Sequence, residues 1–177
     1  TDQGYRGMLK NQMQKDQILK SQTMENQMGT GKMTGIRKAE LADLSEIAAL
    51  EKKIFPDAWS LKSLEETWNQ KNAAIFVAKT EGKTAGYLIF YYVLDEGEIA
   101  RIATAPSMRR QGAAGQMFRK LLAFCQEQKI TRIMLEVREN NEAARRFYEK
   151  CGFTEDGIRR NYYENPQENA VLMSKNL

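Results

Sequence analysis

From Gly35 onward the apolar positions fall into runs whose spacing switches between every second residue and every third or fourth, with Gly, Pro, Asn or Asp marking the changes. GIRKA (35–39) reads as a short strand. In LADLSEIAALEKKIF (41–55), Leu44, Ile47, Ala48, Leu50 and Ile54 lie along one helical stripe. FPDAWS breaks this helix at Pro56, and Ser60 is placed to cap a second helix in LKSLEETWNQ. AIFVAKT (74–80) and TAGYLIFYYVL (84–94), rich in β-branched and aromatic residues, are joined by EGK and predict a hairpin. A DEG turn leads to EIARIAT (98–104), and after RRQGAAG (109–115) the run QMFRKLLAFCQEQ (116–128) returns to helical period. RIMLEVR (132–138) is a strand, NEAARRFYEKCG (141–152) a helix stopped at Gly152, and FTEDGIRRNYY and AVLMSKN are two closing strands. Gly152 suits the left-handed position that ends a helix.

The predicted order is β-α-α-β-β-β-α-β-α-β-β. A meander followed by strand-helix-strand-helix units implies an α/β (mixed α+β) domain over 35–177, with a mixed, mostly antiparallel sheet of about seven strands and helices on both faces. Residues 1–34 differ. They are rich in Gln, Met and Lys, and their apolar residues keep neither period. This segment reads as an N-terminal extension, partly helical or flexible. Because Met33 directly precedes the first strand, one reading makes the upstream residues a leader.

Composition narrows the chemistry. No run reaches the roughly 18 apolar residues of a membrane span, and no signal-peptide pattern is present, so the cytoplasm is the expected compartment and no membrane partner is expected. Cys125 and Cys151 are far apart, without a CxxC pair, and suggest packed or reduced thiols rather than a disulfide framework or a zinc site. The chain has no histidine, which removes Ser-His-Asp hydrolysis, His-ligated zinc and imidazole acid-base catalysis. A net charge of +4 from 27 basic and 23 acidic residues describes a mixed surface, which allows nucleic-acid binding without indicating it.

RRQGAAG has two readings. It is a solvated turn, or it is a cradle in which unpaired N–H groups at a helix N-terminus converge on an anion, with Gly112 free to take φ > 0 and Arg109 and Arg110 adding charge. It is neither a Walker A loop nor GxGxxG. Glu136 lies between Leu135 and Val137 and faces away from whatever they pack on; it is either an acid set for chemistry or an exposed strand residue paired with Arg138 or an arginine of the next helix. Beside the apolar Phe147, Tyr148 reads as an amphipathic side chain with a wet hydroxyl. Asn141 is placed to cap its helix.

The surroundings of the loop carry a resemblance. Arg109, Gly112 and Ala114, on a strand-loop-helix, fit the (Arg/Gln)-x-x-Gly-x-(Gly/Ala) pattern and resemble the acyl-CoA pyrophosphate loop of the GCN5-related N-acetyltransferases (GNAT). LEVRENNEAARRFYEKCGF (135–153) resembles that family's strand-Asn-helix segment ending in Tyr-x-x-x-Gly-Phe. FPDAWS resembles the Phe-Pro-x-Trp-Ser loop of one subgroup, and IRRNYY (158–163) is nearly the signature of that subgroup, the RimI-type ribosomal-protein-alanine N-acetyltransferases. The likeness runs from about residue 35 to the end.

The resemblance implies the GNAT fold and direct transfer of acetyl from acetyl-CoA, without a metal, to the N-terminal amine of a ribosomal protein. It implies Glu136 as general base and Tyr148 as the acid that protonates the departing thiolate. Cofactor contacts would come from Ile102, Ala103 and Thr104 along the pantetheine arm, from Arg109, Arg110, Gln111, Gly112, Ala113, Ala114 and Gly115 around the pyrophosphate, and from Asn141. Acceptor contacts would come from Trp59, Arg159, Asn161, Tyr162 and Tyr163. The expected partner is a ribosomal protein N-terminal peptide, with no direct nucleic-acid contact, and the expected state is a monomer or weak homodimer. Arg101 and Thr104 replace the family's more typical Asn and Val, which leaves the acceptor pocket's shape open. Other acceptors (lysine side chain, polyamine, antibiotic) and a non-catalytic CoA-binding module are the alternative readings.

Overall fold

The apolar runs pair mainly with their neighbours in sequence. In the computed structural model, which describes residues 35–177, β1 (Gly35–Lys38), β2 (Ala73–Thr80), β3 (Lys83–Val93) and β4 (Glu96–Thr104) form an antiparallel meander. β5 (Arg132–Arg138) joins β4 in parallel after a crossover through a helix, as a parallel pair requires. β7 (Gln167–Asn176) then lies antiparallel between β5 and the edge strand β6 (Thr154–Glu164), which gives the order β1-β2-β3-β4-β5-β7-β6. The expected α/β class, seven-stranded mixed sheet and two-sided helix packing are all observed. The expected extension 1–34 lies outside the described residues.

On one face pack α1 (Leu44–Ile54) and α2 (Leu61–Trp68), whose Leu44, Ile47 and Leu64 meet Ile75, Val77, Tyr87 and Ile89 of the sheet. On the other lie α3 (Ala113–Glu127) and α4 (Glu142–Lys150), with Met117, Leu121 and Tyr148 against Leu88, Ile133 and Val171. A single 3₁₀ turn, Leu41–Asp43, precedes α1, and the Ser60 hydroxyl caps α2 by accepting from the Ser63 N–H, as its position predicted. Gly152 takes φ +93 just past α4, the conformation expected of it. One boundary moves. The small residues Ala113, Ala114 and Gly115, read from sequence as loop, are the first turn of α3, because Ala113 is buried and draws the helix start back to Gly112.

Two features of β4 open a cleft in the sheet. Its register with β3 jumps by one residue, with Ile89 opposite Arg101 and Phe90 opposite Ile99, so Ala100 is an extra residue, a β-bulge. Its pairing with β5 covers only Glu96 to Ile99 against Arg132 to Leu135. Bulges sharpen local twist. At this one β4 turns away from β5, and the two central strands diverge.

Candidate active site

The splay leaves backbone groups without a sheet partner. Ala105 donates its N–H to the Ala85 carbonyl of β3 at 2.7 Å. By the two-residue alternation of an antiparallel ladder, Ala103 and Arg101 also turn their polar groups to β3, while Ile102 and Thr104 turn theirs into the gap that β5 has vacated. Ile102 and Thr104 thus offer an edge to an extended ligand. Ala103, grouped with them from sequence, differs: its backbone is engaged by β3 and its side chain is buried against the α1/α2 layer.

At the end of that edge the chain makes a 3₁₀ turn (Pro106–Met108) and enters α3. Gly112 is its N-cap at φ +81, a conformation that costs a residue with a Cβ but not glycine. No side chain caps this end. The first intrahelical donor is Gln116, bonded to the Gly112 carbonyl, so the preceding N–H groups point outward along the helix axis. A Cβ added at Gly115 would meet nothing within 4 Å, so the approach is open. Arg109 and Arg110 are exposed beside it, and Gln111 and Ala114 are half-buried. Open space, aligned donors, the positive end of a 15-residue helix and two guanidinium groups suit a multiply charged anion.

The far side of the gap is built differently. Leu135 and Val137 pack into the α3/α4 core, so Glu136 faces the α1/α2 side one residue beyond the last β4–β5 pair, its side chain 20% exposed. Its partner is Arg159, at 3.6 Å from the edge strand, and not the Arg138 or helical arginine considered from sequence. The reason is register: Arg159 and Arg138 both sit opposite Ala170 of β7, which brings Arg159 onto the same face as Glu136. Tyr162 hydrogen-bonds to Glu136, and that bond, with some burial, raises its phenol. Burial first, then the Glu136 charge, push Tyr163 up to about 12, while the Arg138 guanidinium, 4.2 Å over its ring, opposes the shift. The alternation of a regular strand is broken within IRRNYY. Asn161 takes φ +55 within a bulge and donates its N–H to the Asn169 side chain, so consecutive Tyr162 and Tyr163 both reach the surroundings of Glu136, with rings 5.1 Å apart.

Glu98 also belongs to this group, though its sequence context did not single it out. The Ala100 bulge puts Glu98 and Arg101 on one face, and partial burial followed by the Glu136 charge raises the Glu98 carboxyl. Tyr148 comes from the other face of the sheet. It is buried, not wet as its neighbours suggested; its ring meets Phe147 and Phe153, and burial, then the nearby Cys151 and Tyr163, push its phenol upward. Tyr163 therefore lies within electrostatic reach of both Glu136 and Tyr148. Asn141 caps α4, its Oδ1 accepting from the Ala144 N–H at 3.2 Å.

Over the α1/α2 side lies the FPDAWS segment. Trp59 is half-buried, its ring 6.5 Å from that of Tyr91, and with Ser63, Glu66 and Thr67 the two line an open groove of about 490 Å³. The segment is fixed by Glu51, which is fully buried and accepts from the Trp59 N–H, the Tyr87 hydroxyl and Arg101. Sequence reading passed over Glu51, yet it left a signal: an acid four residues after Ile47 and three before Ile54 stands within the apolar stripe of its helix.

A bulged, splayed strand pair with an anion cradle at one end and a carboxylate facing the opposite layer defines an acyltransferase fold. The chain belongs to the acetyltransferase (GNAT) family, whose model matches residues 44–153. It is 32% identical over 144 residues to the ribosomal protein bS18-alanine N-acetyltransferase of Escherichia coli K12, covering 80% of this chain and 97% of that one. It is likewise 32% identical over 145 residues to the enzyme of that name from Haemophilus influenzae, covering 80% and 98%. The crystal structure of the Escherichia coli ribosomal-protein-S18-alanine N-acetyltransferase superposes with a TM-score of 0.75 at 31% identity, covering 80% of this chain and 92% of the other.

Proposed function

We propose that this acetyltransferase acts on the N-terminal α-amino group of a ribosomal protein that begins with alanine, with acetyl-CoA as donor and no acyl-enzyme. One observation carries the reading: Glu136 stands where β4 and β5 part, facing the layer opposite the anion cradle and Tyr148. A thioester in the gap would meet an acceptor from one side and an acid from the other.

Acetyl-CoA supplies the acetyl group already activated as a thioester. The N-terminus of α3, with Arg109 and Arg110, would hold its pyrophosphate, and the outward backbone groups of Ile102 and Thr104 its pantetheine arm. An α-amino group has a pKa near 7.7 to 8.0, against about 10.4 for lysine, so an appreciable share is neutral near pH 7 and a carboxylate is base enough to take the remaining proton. Glu136 takes that proton directly or through a water, with Arg159 paired to its carboxylate at 3.6 Å. Tyr148 donates a proton to the departing sulfur as the C–S bond breaks; burial raises its phenol and so keeps it in the protonated form from which it can donate. Tyr162, Tyr163 and Asn161 on the β6 side and Trp59 on the α1/α2 side would line the acceptor's path. Cys125 and Cys151 are poor nucleophiles here, since burial pushes both thiols up to about 12 and no histidine exists to activate them.

The test is an acetyl-CoA assay on peptides starting with alanine and on the same peptides with a blocked N-terminus. Acetylation confined to the free N-terminus is the expected result. Acetylation of blocked peptides at lysine would replace this reading with a side-chain acceptor, and turnover with neither would leave a small-molecule amine acceptor or a binding module.

A further inference from the structure

Arg101 is engaged through two of its three guanidinium nitrogens. Its Nε and one terminal nitrogen reach the two oxygens of Glu51 at 3.1 and 3.0 Å, the same terminal nitrogen reaches the Asp57 carbonyl at 3.0 Å, and the guanidinium lies 3.8 Å over the Phe55 ring. Its side chain is 13% exposed and that of Glu51 is not exposed at all. Three elements meet in these contacts: the strand that lines the gap, the end of α1, and the loop from Phe55 to Trp59. Glu51 closes the circuit by holding the Trp59 N–H at 3.0 Å and the Tyr87 hydroxyl at 2.7 Å. Both oxygens of the buried Glu51 are taken, and the guanidinium lies flat on Phe55 with two of its three nitrogens turned to Glu51 and the loop, an arrangement that serves to hold the loop.

We infer that Arg101 is a positioning residue for the acceptor: through Glu51, Asp57 and Phe55 it clamps the Phe55–Trp59 loop to the cofactor strand, and this clamp fixes Trp59 and the groove beside Tyr91 through which the acceptor enters. The inference rests on the reading that this loop borders the acceptor. A planar fork is what the clamp requires. Lysine in its place keeps the charge against Glu51, but a single ammonium cannot bond both carboxylate oxygens and the Asp57 carbonyl while lying flat on Phe55.

Arg101→Lys is therefore the informative variant, and Glu51→Gln/Arg101→Gln, which removes both charges together, guards against a buried unpaired carboxylate unfolding the chain. Both are made in a Trp68→Phe background, so that emission reports Trp59. Expected are an acceptor-peptide KM raised about tenfold or more, an acetyl-CoA KM within about twofold, kcat at saturating peptide changed less than the acceptor KM, and a red shift of Trp59 emission. An acceptor KM within about twofold of the parent in a variant that melts cooperatively overturns the inference, as does an equal rise of both KM values. A red shift in a protein that fails to acetylate alanine peptides even with Arg101 intact keeps the clamp and rejects the acceptor assignment. Unshifted Trp59 emission rejects the clamp whatever the acceptor proves to be.

Discussion

Arg159 reaches from the edge strand across β7 to Glu136 on β5, guanidinium to carboxylate 3.6 Å, with Glu136 the better buried of the two. The pair stands where β4 and β5 part, one residue beyond their last shared position. Glu136→Gln keeps the shape and removes the base. It is expected to lower kcat by about 10² or more, the usual scale of a general base, and to leave the acetyl-CoA dissociation constant within about twofold. Stopped-flow turnover and calorimetry measure the two separately; parental kcat would strip Glu136 of the role.

The open approach at Gly115 allows a test of the cradle in which fold and function move apart. Gly115→Asp adds a side chain into free space on a helical residue, and an acid in the first turn favours the helix dipole. Thermal stability should be unchanged or slightly higher. Acetyl-CoA affinity should fall at least about tenfold, or about 1.4 kcal/mol, because a carboxylate then faces the pyrophosphate. Equal affinity by calorimetry would remove α3 from the cofactor site.

Tyr148 is packed between Phe147 and Phe153, so Tyr148→Phe preserves the ring contacts and should change stability by less than about 1 kcal/mol. The loss should appear in kcat, about tenfold to a hundredfold, with acceptor KM little changed. A donor whose thiol is more acidic needs less help in leaving, and with it the variant should approach the parent. A deficit that stays constant across such donors would point to packing instead.

Asp43 supplies a pH test of the fold. It is buried between Arg37 at 2.6 Å and Lys79 at 2.9 Å, and also accepts from the Glu40 N–H. Burial alone would raise its carboxyl, but the hydrogen bonds from Arg37 and Lys79 outweigh it and hold the group well below the usual carboxylate range. The folded value is thus lower than the unfolded one. The resulting stability is complete above about pH 4 and is lost as pH falls toward the folded value. Asp43→Asn should cost about 2 to 4 kcal/mol near neutrality, and denaturant titrations from pH 7 to pH 2 should show that difference shrinking. A difference independent of pH would contradict the assignment.

Much of the fold was legible in the chain. The helix stripes and the hairpin are local patterns, and they placed the layers. Strand alternation set Glu136 apart from Leu135 and Val137, and the conformational freedom of Gly112 allowed a cradle, but what each would do was implied only by the family resemblance. What escaped depends on register. The Ala100 bulge, invisible to periodicity, turns Arg101 toward Glu51, and the parallel register of β4 with β5 brings Glu98 near Glu136. The bulge at Asn161 likewise undoes the alternation that would have sent Tyr162 and Tyr163 to opposite faces. Partners such as Arg159 for Glu136 are set by which strands become neighbours, and β7 inserting between β5 and β6 is a tertiary choice.

The outward backbone edge at Ile102 and Thr104 has a consequence for how such a protein can diverge. A ligand gripped by main chain is indifferent to the side chains that happen to hang from it, so under the proposed function the donor half of the cleft could drift in sequence while keeping its chemistry. Under the proposed function, the opposite half is written in Glu136, Arg159, two tyrosines and a loop pinned by one guanidinium, and each change there would alter what is let in. New acceptors would therefore be reached by rewriting one wall, with the other inherited intact.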